Sequence, residues 1–200
     1  MQQSGRKLAT LVILILLPGL TLAALSNSIR HDIKSKAWTT EYDKYFRKYA
    51  KRYFGPGFDW RWFKSQGVAE SGLRNNVVSS VGAVGIMQIM PSTYADIHKK
   101  SPYLSAGTLS DPRWNIATGI FYDRLLYKRW LKTLDRSTHE NDLYMTFASY
   151  NAGHGKISRV LKKARKNSAD VEGWDDIKHQ VPTQTRHYVR RIKFLMGKGE

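Results

Sequence analysis

Residues 70–93 read ESGLRNNVVSSVGAVGIMQIMPST, and they contain the group on which the interpretation of this chain depends. Glu70 is followed by no other acidic residue until Asp96, so the stretch carries a single carboxyl group. Serine, asparagine and glycine occupy turn positions between Arg74 and Gly82, which predicts a loop. The stretch therefore combines a lone acid, a loop and a short apolar segment.

Apolar residues recur at helical spacing on both sides of this stretch, and no segment alternates with period two for long. Asp59 and Asp111 are expected to cap helices, and Gly72 to end one. The predicted helices cover Tyr42 to Tyr53, Trp60 to Ser71, a segment starting at Pro91, and residues 112–134, 142–151, 155–166 and 183–196. The aromatic residues of the first helix are expected to pack in the core or to cover the domain that follows. We therefore predict one mainly α-helical domain.

The composition limits the possible chemistry. A length of 200 residues suits a single domain, and the absence of cysteine excludes disulfides, thiol nucleophiles and thiolate metal sites. Lys and Arg number 33 against 16 Asp and Glu, and the net charge of +17 favours nucleic acid, anionic lipid or an acidic wall polymer as partner. The six histidines show no paired metal spacing, so we expect neither a metal nor another cofactor.

The N-terminus predicts export. Residues 8–25 carry no charge, follow two basic residues and end in small residues. The apolar region of a signal peptide has about 7–15 residues and a membrane span about 17–25, so this segment is either a signal peptide or an anchor. Export favours a wall polymer over nucleic acid as partner. We expect residues 1–25 to be the signal or anchor, 26–55 a tether and the amphipathic helix, and 56–200 the remaining domain.

The stretch from Glu70 resembles the signature of the soluble lytic transglycosylase family, enzymes with a lysozyme-like helical domain that cut bacterial peptidoglycan. Eleven positions agree in fixed order: Glu70, Ser71, Ser79, Gly82, Ala83, Gly85, Met87, Gln88, Met90, Pro91 and Thr93. Weaker matches follow at Asp111-Pro112 with Asn115-Ile116 and Gly119, at Ala148 with Tyr150 to Gly153, and at Thr185-Arg186 with Tyr188-Val189. The resemblance covers roughly residues 56–197 and implies a lysozyme-like fold for the SLT-like domain of residues 56–200.

The resemblance also implies roles for single residues. Glu70 would be the catalytic acid and base. Ser79 would lie near the acetamido group of the substrate, unless its hydroxyl only stabilises a turn. Gln88 would hydrogen-bond to sugar, and Met90 would pack on a sugar ring. The Tyr150 hydroxyl would lie close to the catalytic acid, where it could orient the carboxyl or the N-acetyl group. The expected substrate-binding residues are Ser79, Gln88, Met90, Tyr150 and Asn151.

A lone carboxyl group suits this family. Most glycoside-cleaving enzymes use two carboxyl groups about 5–10 Å apart, and the segment around Glu70 lacks a second one. A distant carboxylate such as Asp111 could still fold into the cleft. As the family is known, the N-acetyl group of the substrate assists departure and the C6 hydroxyl attacks C1, which leaves a 1,6-anhydro ring. Glu70 must then keep its proton near neutral pH, and apolar residues folded over it would raise its pKa: Ile86, Met87, Ile89 and Met90.

We therefore expect an exported peptidoglycan lytic transglycosylase of the bacterial periplasm or envelope, which residues 8–25 could anchor in the inner membrane. It would cleave the β-1,4 bond between N-acetylmuramic acid and N-acetylglucosamine. The alternatives are a goose-type lysozyme, which delivers water, and a non-catalytic wall-binding module that helps to seat a secretion or division apparatus. Basic helix faces could contact stem-peptide carboxylates or anionic lipid. Gln184 stands where the family commonly has glutamate, which removes a potential cleft carboxylate.

Overall fold

The computed structural model describes residues 37–134 and 138–198. The predicted signal or anchor and most of the predicted tether lie outside these residues. In the part of the chain that is described, no helix combines the length and apolar character needed to cross a membrane.

The described residues form eight α-helices and a short 3₁₀ turn at Leu104–Ala106. The helices are α1 (Asp43–Phe54), α2 (Arg61–Ser71), α3 (Pro91–Lys100), α4 (Pro112–Leu131), α5 (His139–Ala152), α6 (His154–Asn167), α7 (Trp174–Ile177) and α8 (Thr183–Leu195). The prediction of a mainly helical fold is confirmed.

The helix ends follow the capping residues. Asp111 Oδ1 accepts a hydrogen bond from the Arg113 N–H at 2.8 Å, directly before α4. Asp59 Oδ1 likewise accepts from the Arg61 N–H at 3.0 Å, although the boundary residue of α2 is Trp60. These side chains satisfy amide groups that the first turn of a helix leaves without a partner.

Two helix boundaries differ from the prediction by three residues, and one helix was missed. Helix α5 begins at His139 and not at Asp142, because Thr138 Oγ1 accepts from the Asn141 N–H at 3.2 Å and so caps an earlier turn. Helix α4 ends at Leu131 and not near Leu134. Helix α7 was not predicted, since four residues are too few to show a helical period.

Helix α5 is the centre of the domain. Every residue from Asp142 to Ser149 is buried, and α5 packs against α4, α6 and α8. A helix that is surrounded in this way shows no single apolar stripe. On the far side of α4, helix α1 completes the core: Phe46 and Tyr49 are fully buried, so its aromatic stripe packs in the core.

A buried ion pair connects α1 to α2. Lys64 is only 1% exposed, and its Nζ donates a hydrogen bond to Asp43 Oδ1. The same ammonium group lies 4.5 Å from the centre of the Trp38 ring. Because an ammonium group that is out of water needs a compensating charge, this pair holds α2 against α1. It thereby helps to fix the helix whose last turn carries Glu70.

We expect Asp43→Asn to lower the free energy of unfolding by about 2–3 kcal/mol, since it leaves the Lys64 charge buried without its counter-charge. Urea denaturation followed by circular dichroism measures this change. The matched control is Asp175→Asn, which removes the carboxylate of the exposed pair between Lys178 and Asp175 and should cost less than about 1 kcal/mol. Equal losses in the two variants would show that the buried ion pair stabilises the fold no more than the exposed ion pair does.

Candidate active site

Glu70 lies in the last turn of α2, which ends at Gly72 in the left-handed conformation with φ 66°. Burial raises the pKa of the Glu70 carboxyl group to about 7, because a desolvated carboxylate is penalised relative to the neutral acid. The carbonyl end of a helix also disfavours negative charge. The raised pKa expected from the sequence is therefore confirmed, and Glu70 retains a proton up to near-neutral pH.

The direct hydrogen-bond partner of Glu70 is Tyr188 from α8. The Tyr188 hydroxyl donates to Glu70 Oε1 at 2.6 Å, and this bond lowers the pKa of Glu70 without cancelling the effect of burial. Burial, followed by the nearby Glu70 charge, raises the pKa of Tyr188 well above its usual value. The sequence analysis gave Tyr188 no role. The only available signal was its place in the weak match that begins at Thr185.

Tyr150 is held by the loop and not by the acid. Its hydroxyl donates to the carbonyl oxygen of Met87 at 2.7 Å. Burial raises the pKa of Tyr150, and a negative charge on Asp123 or Glu70 would raise it further, so Tyr150 lies within electrostatic range of both carboxyl groups. The hydroxyl that bonds to the Glu70 carboxyl group is therefore that of Tyr188, while Tyr150 bonds to the segment that follows the acid. Orientation of the N-acetyl group by Tyr150 stays a prediction.

The loop after Glu70 is held largely by its own polar groups. Ser79 Oγ accepts from the Ala83 N–H at 2.9 Å, which is the turn-stabilising role considered for it, and its hydroxyl proton stays available. Gln88 Nε2 donates to the carbonyl oxygens of Gly85 at 2.9 Å and Val77 at 3.2 Å. These bonds hold Gln88 at φ 45°, a left-handed conformation that is unusual for a residue with a side chain. The Oε1 atom is the part of the Gln88 amide left to accept a hydrogen bond.

Asn115 on α4 connects this loop to the core. Its Oδ1 accepts from the Met87 N–H at 2.8 Å, and its Nδ2 donates to the Val84 carbonyl oxygen at 2.9 Å. Gly85 has φ 76°, and a Cβ atom at this position would collide with the Asn115 amide. Position 85 therefore requires glycine both for its backbone conformation and for space. The sequence analysis matched Asn115 but assigned it no function.

The remaining expected site residues occupy different surroundings. Met90 is 38% exposed and directly precedes α3, whereas Ile86, Met87 and Ile89 are buried; that they cover Glu70 stays a prediction. Asn151 Oδ1 accepts from Thr185 Oγ1 at 2.9 Å, which joins the end of α5 to the start of α8. Within residues 37–134 and 138–198, no hydrogen bond or ion pair links Ser79, Met90 or Asn151 to Glu70.

A second carboxyl group, not anticipated from the sequence, is buried near Glu70. Asp123 on α4 is fully buried, and Gln66 Nε2 donates to its Oδ1 at 3.2 Å. Burial, together with the Glu70 charge, raises the pKa of Asp123 well above its usual value. The atoms Asp123 Oδ2 and Gln66 Oε1 are both buried and have no hydrogen-bond partner among the described residues. A proton on Asp123 lets Oδ2 act as a donor, so we infer that Asp123 is neutral. Asp111, in contrast, caps α4.

This arrangement defines what the site can do. A carboxyl group with a pKa of about 7 can donate a proton and take one back at near-neutral pH. Tyr188 stabilises the charged form that exists between these two events. In the described part of the chain, no group of three histidine, aspartate or glutamate residues could hold a metal ion.

Comparison with known proteins agrees with this geometry. The sequence model of the family described as the transglycosylase SLT domain matches residues 45–172, more than half of the chain. The chain belongs to the transglycosylase SLT domain family. The resemblance stated from the residues is thus confirmed, and the match begins inside α1.

Individual relatives of this SLT domain are larger proteins. Membrane-bound lytic murein transglycosylase F of Marinobacter nauticus is 28% identical over 79% of the chain, and that of Pseudomonas putida is 27% identical over 80%. The chain covers 29% and 30% of these two relatives, which is less than a third of their length.

Solved structures show the same fold. The 70 kDa soluble lytic transglycosylase of Escherichia coli superimposes with a TM-score of 0.61 at 24% identity, over 88% of this chain and 30% of that one. An inactive glutamate-to-glutamine mutant of lytic transglycosylase Slt from Pseudomonas aeruginosa gives a TM-score of 0.63 at 21% identity, over 89% and 28%.

We expect Tyr188→Phe to raise the pKa of Glu70 in this SLT domain by about one pH unit, because it removes a hydrogen bond that favours the carboxylate. Carbon-13 NMR titration of the Glu70 carboxyl carbon measures this value directly.

Tyr150→Phe is the matched control for this titration. It also removes a buried tyrosine hydroxyl, but one that donates to Met87 and not to Glu70. It should leave the Glu70 titration close to that of the wild type. A similar shift in both variants, or a fall of the pKa in Tyr188→Phe, would contradict the assigned role of Tyr188.

Proposed function

We propose that this chain is a peptidoglycan lytic transglycosylase that cleaves the β-1,4 bond between N-acetylmuramic acid and N-acetylglucosamine and leaves 1,6-anhydromuramoyl ends. The observation that carries the proposal is the state of Glu70, whose carboxyl group is largely but not fully buried, has a pKa of about 7 and accepts a hydrogen bond from Tyr188. An exposed glutamate would be ionised at neutral pH and could not protonate a glycosidic oxygen.

The proposed reaction uses Glu70 twice. Protonated Glu70 first donates its proton to the oxygen that bridges the two sugars, and the bond from C1 of the muramic acid to that oxygen breaks. The N-acetyl group of the substrate stabilises the charge that develops at C1. Ionised Glu70, stabilised by Tyr188, then removes the proton of the C6 hydroxyl, and O6 bonds to C1. The acid is regenerated, and no water is consumed.

Other expected site residues have groups free for substrate. Gln88 offers Oε1 to a sugar hydroxyl, since its amide nitrogen is used within the loop. Ser79 keeps its hydroxyl proton as a donor towards an acetamido group. The exposed side chain of Met90 suits packing on a sugar ring. Tyr150 and Asn151 remain proposed substrate-binding residues, and their bonds to Met87 and Thr185 would fix their side chains for that role.

The names of the relatives support the proposed reaction and the proposed location in the cell envelope. Relatives in Marinobacter and Pseudomonas are called membrane-bound lytic murein transglycosylases, and the glutamate-to-glutamine mutant of Slt is described as inactive. By analogy, we propose that the chain works in the bacterial cell envelope. Residues 1–25 would serve as signal or anchor, 26–55 as tether and amphipathic helix, and 56–200 as the catalytic domain. The proposed polymeric partner is peptidoglycan, and no cofactor is required.

Mass spectrometry of the products tests this function. Purified sacculi incubated with the full chain should release muropeptides with 1,6-anhydro ends, and Glu70→Gln should lower the rate by about 10²–10⁴-fold, since it removes the acid and base. Glu140→Gln is the matched control, because Glu140 forms a surface pair with Lys198, and it should keep its activity.

The product identifies the mechanism. Release of hydrolysed ends alone would assign the chain to a lysozyme-type reaction, in which water replaces the C6 hydroxyl. Binding to sacculi without release of sugar would assign it to a wall-binding role. Undiminished release by correctly folded Glu70→Gln would exclude Glu70 as the catalytic acid.

Asp123 provides a second test. We expect Asp123→Asn to retain activity within about fivefold of the wild type, because Asp123 is inferred to be neutral and the amide supplies an N–H where the acid has an O–H. Asp123→Ala should instead lower the free energy of unfolding by about 2–4 kcal/mol, as expected for a cavity beside an unpaired Gln66. Loss of activity in Asp123→Asn as large as in Glu70→Gln would show that Asp123 is a second catalytic carboxylate.

A further inference from the structure

A basic pocket lies between the end of α7 and helix α8. Its volume is about 460 Å³, and Trp174 lines it together with polar and charged side chains. These side chains are Lys178, His179, Arg186, His187, Arg190 and Lys193. Among the described residues that line the pocket, none is acidic. A concave surface of one charge sign concentrates its electric field, so the pocket attracts an anionic group.

The pocket lies on the opposite side of α8 from the catalytic carboxyl group. Arg186, Arg190 and Lys193 are four and three residues apart and so share one face of the helix. Tyr188, which bonds to Glu70, is two residues from both arginines and points to the other side. The body of α8, with a typical width of about 10–12 Å, therefore lies between the two sites.

The nearby acidic side chains neutralise only part of the pocket. Asp175 pairs with Lys178 at 2.9 Å, and Glu140 forms its ion pair with Lys198. Lys193 lies 4.9 Å from the centre of the Tyr144 ring, a contact that leaves its charge in place. Arg186 is not involved in any of these pairs. The pocket thus keeps an excess of positive charge.

We propose that this pocket is a second binding site, which takes the carboxylate groups of an acidic peptide attached to the glycan. The proposal rests on the proposed function, since such stem peptides are part of peptidoglycan. A peptide from a sugar at Glu70 must pass around α8, and half the circumference of a helix about 10–12 Å wide is roughly 16–19 Å. An extended peptide spans about 3.3–3.6 Å per residue, so about five residues cover this path. The arginine guanidinium groups suit carboxylates because they can bind them with two parallel hydrogen bonds.

The shape of the pocket favours a peptide over a bilayer. A flat membrane surface meets convex or planar patches, whereas this site is a pocket of about 460 Å³. Trp174 lines it but is only 2% exposed, so the surface that a ligand meets is mainly that of the polar and charged side chains. The exposed convex cations of α6, such as Arg159 and Lys162, offer charge without such a cavity.

Binding in the absence of cleavage tests the proposal. The full chain carrying Glu70→Gln is sedimented with intact sacculi and with glycan whose peptides an amidase has removed. We expect the pocket variant Arg186→Gln/Lys193→Gln to weaken binding to the peptide-bearing glycan about fivefold, and binding to the stripped glycan less than twofold. The matched control Arg159→Gln/Lys162→Gln, which removes the same charges from α6, should change either affinity less than twofold. A second pocket variant, Lys178→Gln, should also weaken binding to the peptide-bearing glycan. Thermal unfolding verifies that each variant is folded.

The outcomes separate the possibilities. Equal loss of binding in the pocket variant and the α6 control would show unspecific attraction by net charge, and equal loss on stripped glycan would show that the pocket contacts sugar; either result overturns the proposal. Unchanged binding to glycan, combined with lost binding to phosphatidylglycerol vesicles, would overturn it in favour of a lipid headgroup. Because Glu70→Gln removes cleavage from the assay, failure of the pocket proposal leaves the release of anhydro products by the unmodified chain as an independent test of function.

Discussion

The partial removal of one carboxyl group from water is the constraint on which the site depends. Glu70 lies where the end of α2 meets α8, and burial there makes its charged form costly. A single hydrogen bond from Tyr188 restores part of the stability of the carboxylate. The two effects oppose each other, so the pKa comes to lie near neutrality and not at either extreme. Both forms of the group are then accessible at neutral pH, which suits an acid that must later act as a base.

The loop beside Glu70 is held in place mainly by hydrogen bonds to its backbone groups. Asn115 binds it from α4, Tyr150 binds it from α5, and Gln88 closes it from within. Gly85 is required because the Asn115 amide occupies the space of a side chain. Since these contacts come from helices that are themselves part of the core, the geometry around Glu70 is held by the whole domain. The ion pair of Lys64 with Asp43 adds to this support from the other end of α2.

The sequence predicted the helices and the acid well, because both leave local signals. Helical periodicity, the aspartate caps and Gly72 mark most helix boundaries, and Glu70 stands in a motif of fixed spacing. Contacts between distant segments left no such signal. Tyr188 lies 118 residues from its partner Glu70, and Gln66 and Asp123 are 57 residues apart. An isolated aspartate in a long helix looks like a surface residue until the fold shows what covers it. For the same reason, the sequence placed Tyr150 near the acid but could not show that its hydroxyl bonds to Met87.

The raised pKa of Glu70 also links folding to the acidity of the medium. The folded chain keeps this proton up to about pH 7, whereas an unfolded chain releases it near the ordinary value of 4.5. Across that window the unfolded state binds fewer protons, so each rise in pH favours unfolding, by up to about 3 kcal/mol in total. At mildly acidic pH the domain therefore keeps both the proton on Glu70 and its higher stability against unfolding. Above about pH 7 this contribution is fully lost, so a molecule that has lost its reactive proton is also closer to unfolding.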